Sequence, residues 1–186
     1  MSNFEFVFSL FGLLLGFSLV EVLGKLAASV KARPRIRTGW LTPLLALFVL
    51  LDVTGFWSIA WDARDAIPAS YGVLTIGLAI TGLYYFAASL IFPSNLDADL
   101  DLDHWYFDHK STVFAILLAC QLLAHGSKFA LVGVAGYQWP LSAWILFAAF
   151  VAALVAAIFA RGFRWNITLL VVLIALYLED SVRNLT

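Results

Sequence analysis

Six long apolar runs, parted by short breaks, restrict what this chain can fold into more than any other feature. They fall at about 5–29, 40–61, 70–92, 111–131, 140–160 and 165–180. A helix needs about 20 apolar residues to cross the hydrocarbon core of a bilayer. Six of them consume most of a 186-residue chain and leave only short connections. Breaks come at Pro34, Pro68 and Pro93, in the Gly133/Gly136/Pro140 stretch, and at Arg161-Gly162. Hydrophobic residues make up 63% of the chain and charged ones 12%, against roughly half and a quarter in soluble domains. The expected fold class is therefore all-α: a polytopic membrane protein, with residues 1–186 forming a single transmembrane domain, a bundle of about six transmembrane helices with short loops. The sixth run is the weakest, because its strictly apolar part, Ile167 to Leu178, covers only 12 residues.

The first run lacks a positive leader and continues into Glu21 and Lys25, so it reads as a permanent helix rather than a cleaved signal. Orientation follows from the placement of Lys and Arg near helix ends. Lys31, Arg33, Arg35, Arg37, Lys110, Arg161 and Arg164 fall in loops on one side. The expectation is a bacterial inner membrane with these loops in the cytoplasm and both termini outside. Tryptophan agrees: Trp40, Trp105 and Trp165 fall near that side, and Trp57, Trp61, Trp139 and Trp144 near the other, as rings that prefer headgroup depth should. The sequon at Asn166 then lies on the inner side, out of reach of glycosylation.

Ionisable and amide side chains within the runs are the candidate functional residues. Run 1 carries Ser18, Glu21, Lys25 and Ser29 along one helical face, and run 4 carries Gln121, His125 and Lys128 along another. Run 2 adds Asp52. At about 1.5 Å of rise per residue, Asp52 and Gln121 fall near the midplane, with Glu21 and Lys25 towards the cytoplasm and His125 and Lys128 towards the outside. Charge at such depth needs a partner or a purpose. One reading is structural: Glu21 pairs with Lys25, and Asp52 with His125 or Lys128. The other is a proton or ion path between helices 1, 2 and 4, with Glu21 and Asp52 as relay carboxylates and His125 as the pH-sensitive group.

The segment from Asp97 to His109 alternates aspartate with other residues. On a helix, Asp101, His104 and Asp108 share a face and are weak candidates for a metal site. An EF-hand is excluded, because the glycine and final glutamate of that loop are missing. A solvated acidic lead into helix 4 is the plainer account. Small residues mark close helix approaches: Gly12 and Gly16 in run 1, and in run 5 a ridge that includes Ala149, Ala153 and Ala156. The ridge suits packing within the chain or self-association.

A net charge of −1 argues against nucleic acid. The lone Cys120 lies in an apolar run. No nucleophile with its base, no phosphate loop and no haem-type histidine pair is evident, so no enzyme activity, cofactor or firm metal site is expected. The apolar opening from Phe4 to Leu23, with the stretch Asp101 to Phe107 before helix 4, resembles small bacterial membrane proteins, a resemblance that implies no activity or site residue. Two functions are therefore carried forward: a small proton or ion channel or transporter, and a non-transporting accessory or scaffold subunit. Membrane lipid and either a second copy or another membrane protein are the expected partners.

Overall fold

The computed structural model describes residues 3–97, 99–136 and 139–183. It holds six helices: α1 (Asn3–Ala32), α2 (Leu41–Asp62), α3 (Tyr71–Ile91), α4 (Leu102–Gly136), α5 (Leu141–Phe159) and α6 (Phe163–Arg183). Five of them, α1 to α5, are long and apolar enough to cross a membrane. The expected six-helix bundle is present, and α6, the weakest of the six runs in the sequence, stands outside that set of five. Residues 167–178 are apolar, but Arg164 and Glu179 close in from both ends.

A central pair, α2 and α4, organises the bundle. The α1 and α3 helices pack on one side of it, and α5 and α6 on the other. Among the described residues, the α1 and α4 backbones do not approach each other. The core is built from inward positions such as Leu15, Phe48, Val49, Tyr84, Phe114 and Leu117, all essentially inaccessible. Outward positions are apolar too, including Phe17, Val20, Leu122, Ile145 and Val171. A water-soluble chain does not expose a continuous belt of such residues; a lipid-facing surface is made of them.

The fourth helix starts at Leu102, well before the expected 111. The charges of the Asp-rich stretch hide a second pattern. Leu102, Tyr106, Lys110 and Val113 are all buried on one face, at the spacing of an amphipathic helix. Asp101 supplies the start signal, its Oδ1 accepting from the backbone N–H groups of Asp103 (2.9 Å) and His104 (3.3 Å), as an N-cap does. Asp103 serves a different helix. Its Oδ1 accepts from the Leu41 N–H at 3.1 Å, where α2 begins without a side-chain cap of its own. Gly39 adopts φ +55°, and its α-carbon lies so close to the Asp103 carboxylate that a Cβ would collide with it, so glycine is needed there twice over. At its far end α4 breaks at Gly133, which leaves helical geometry with φ 65°.

The loops after α1 and α3 join edge to edge. Arg37 donates to Leu100 O (2.8 Å) and accepts from Leu102 N (2.9 Å), and Asp99 N donates to Arg35 O (3.1 Å). These loops and the α5–α6 turn form one end of the bundle, the basic end. The opposite end holds two aromatic groups. Phe8 packs edge-on to Trp57 at 4.6 Å and Phe4 meets Trp61 at 6.0 Å, while Trp139 packs on Trp144 at 5.1 Å.

Candidate functional site, a buried polar centre

Asp52 sits on α2 between Phe48 and Phe56, one turn away on either side, and is fully buried. Its Oδ1 accepts from Gln121 Nε2 of α4 at 2.7 Å and from the Tyr177 hydroxyl of α6. Gln121 Nε2 also donates to the Tyr177 oxygen at 3.0 Å. The Tyr84 hydroxyl of α3 approaches the carboxylate and interacts with its charge, but neither it nor Asp52 Oδ2 reaches hydrogen-bond geometry with any described residue. Four helices thus deliver one polar side chain each to a single point. Three further rings close the centre towards the basic end: Phe48 lies 6.0 Å and Phe150 5.3 Å from the Tyr177 ring, and Phe114 lies 6.1 Å from Phe48. Towards the opposite end Phe56 lies 5.8 Å from the Tyr84 ring.

Of the six residues considered for a path, the structure joins the side chains of Asp52 and Gln121 and sets the His125 ring against the Gln121 backbone. Glu21 stays half-buried on α1. Lys25 does not pair with it: the ammonium donates to the carbonyls of Pro93 (3.4 Å) and Ser94 (3.0 Å), just beyond the end of α3. His125 turns towards α5. Its Nδ1 lies 3.0 Å from Gln121 O, and its ring packs on Phe147 at 4.4 Å and Trp139 at 5.7 Å. Lys128 reaches Asp62 at the end of α2, at 3.1 Å. Neither His125 nor Lys128 is a partner of Asp52, whose oxygen is taken by neutral donors.

The other candidate residues are placed as follows. His104 and Asp108 form an exposed pair at 3.7 Å, Asp101 is occupied as a cap, and no group of three metal-ligating side chains gathers among the described residues. Gly12 packs against the Trp57 ring, and Gly16 faces open space. In α5, Ala153 is buried with Ala157, whereas Ala148, Ala149, Ala152 and Ala156 are exposed. Elsewhere on α1, Phe11 occupies the space that a side chain at Gly77 of α3 would need.

An apolar cavity of about 150 Å³ lies between α1, α2, α3 and α4 towards the opposite end. Phe11, Phe56, Gly77, Ile80 and Ala124 line it, and Lys128 and Ser127 are the polar members of its wall. It lies where α1 and α4 do not meet, with Phe56 and Ile80 in its wall.

The structure therefore defines a helical membrane bundle with a carboxylate–amide–phenol centre between its helices. No family model, curated protein or solved structure matches the chain.

Proposed function

We propose that the chain is a non-transporting accessory or scaffold subunit of the bacterial inner membrane, with the basic end in the cytoplasm and both termini outside. One observation carries this reading: the polar side chains within the apolar runs are largely committed to the chain's own groups. Asp52 is held by Gln121 and Tyr177, Lys25 by carbonyls after α3, and Lys128 by Asp62. Phenylalanine layers close the centre on both sides. A conducting path needs groups that exchange partners along a continuous line, and here the carboxylate and the two lysines serve three separate junctions. The small residues exposed on α5 support an outward role, since they let another membrane helix approach closely.

Flux in sealed proteoliposomes is the test. Proton and potassium leakage should equal that of empty vesicles, for wild type and Asp52→Asn alike. Flux above that level, abolished by Asp52→Asn, would replace this reading with the transport one, for which the unpaired Asp52 Oδ2 and Tyr84 hydroxyl are the structural motive. The partner is tested in mild detergent, where paired Ala149→Leu and Ala152→Leu changes should shift the wild-type particle to smaller mass.

A further inference from the structure

We propose that the cleft between the start of α4 and the α5–α6 turn binds a phosphate group, carried by an anionic phospholipid. The inference needs the basic end to lie at the membrane surface, but not the scaffold role. The cleft measures about 360 Å³, within the range of small-ligand sites. Lys110, Ser111, Arg161 and Gly162 line it together with Phe107 and Phe159, and no lining residue is acidic.

Its walls are fixed by bonds that use up the acceptors nearby. Helix α5 ends at Phe159, leaving its last carbonyls without helical partners. Lys110, only 5% exposed, donates to Ala157 O at 2.7 Å and Ile158 O at 3.4 Å. Ser111 adds a bond to Ile158 O at 2.9 Å. Beyond the helix end, Asn166 Nδ2 donates to Gly162 O (2.8 Å) and Ala160 O (3.3 Å), and the Tyr106 hydroxyl holds the Asn166 oxygen at 2.9 Å. The carbonyls of Ala157, Ile158, Ala160 and Gly162 thus already meet donors.

Positive charge remains. The Lys110 ammonium has three donors and two are placed on carbonyls. Arg161 is exposed at the rim, with a planar fork suited to phosphate oxygens. Phe159 and Trp165 are 75% and 69% exposed beside it, as side chains at headgroup depth are. A basic recess between membrane helices on the cytoplasmic side, rimmed by exposed aromatics, is the setting in which anionic headgroups bind.

Native mass spectrometry of the full chain in mild detergent tests the site. Phosphatidylglycerol and phosphatidylcholine of equal chain length are compared, with inorganic phosphate as a third probe. Wild type should retain phosphatidylglycerol about fivefold better than phosphatidylcholine. Arg161→Gln should remove most of that preference, Arg161→Lys should keep part of it, and Arg64→Gln at the opposite end should leave it intact. Unchanged melting temperatures would show that neither arginine change disturbs the fold. Retention of inorganic phosphate that depends on Arg161, without lipid preference, would support the phosphate site with a soluble anion as its source. Equal retention of both lipids and no phosphate binding, or a preference indifferent to Arg161, would overturn the proposal.

Discussion

The two ends of the bundle are closed by different means. At the basic end, helix termini are tied by hydrogen bonds between distant segments: Arg37 to Leu100 and Leu102, Thr42 Oγ1 to Leu102 O at 2.7 Å, Lys110 to the end of α5, and Asn166 to the turn that follows. At the opposite end rings pack on rings, one partly exposed ion pair joins α2 to α4, and a hollow remains. A helix end that tucks inward must find partners for its orphan groups within the chain, whereas an end near water can leave them hydrated. Lys110 and Asn166, buried and donating to carbonyls at and beyond the end of α5, thus mark the tucked end.

Four substitutions, with Tyr84→Phe as a neutral control beside the second, break or sharpen this contrast, in falling order of effect. Asn166→Leu should be the most damaging, because it strands the Tyr106 hydroxyl and frees the carbonyls of Ala160 and Gly162. A loss of about 3 kcal/mol is expected in detergent melts, and a loss below about 1 kcal/mol would show that the basic end is held by other means. In the centre, Tyr177→Phe should cost about 1.5 kcal/mol by removing a bond to Asp52. Tyr84→Phe removes a hydroxyl that is not hydrogen-bonded and should be nearly neutral, so equal losses would contradict the described centre. At the opposite end, Ala60→Leu projects into the cavity and should raise stability by about 1 kcal/mol; a fall in melting temperature would mean that the hollow cannot accept it. Lys128→Met should matter least, under about 1 kcal/mol, because its partner Asp62 is 56% exposed and can turn to water. A larger loss would make the two ends alike.

The spans were legible because apolar length is a direct consequence of bilayer thickness, and the gathering of the basic loops at one end follows the same logic. The common depth of Asp52 and Gln121 was legible from helical rise alone, but the expected partners of Asp52 were His125 or Lys128, and it meets Gln121 instead. Tyr84 and Tyr177 were missed: a tyrosine in an apolar run reads as a ring with a polar tip near the interface, and nothing local to α3 or α6 shows that the tip meets a carboxylate. The unmet hydrogen-bonding capacity of Asp52 was the one available signal. Glu21 and Lys25 were read as facing the same interior as Gln121 because each run shows its own polar face, while which faces meet depends on packing order. In this bundle α3 and the cavity come between. The early start of α4 was hidden by aspartates that act as caps, Asp101 for its own helix and Asp103 for α2, two roles that net charge cannot distinguish from solvation.

The pairing of residues 35–37 with 99–102 sets an order for biogenesis. When α1 and α2 leave the insertion machinery, the loop between them has no edge to join, because the complementary segment is made only after α3. The turn between α1 and α2 therefore gains these backbone partners only once the start of α4 has been made. Two more helices then complete the bundle on the far side of the α2–α4 pair.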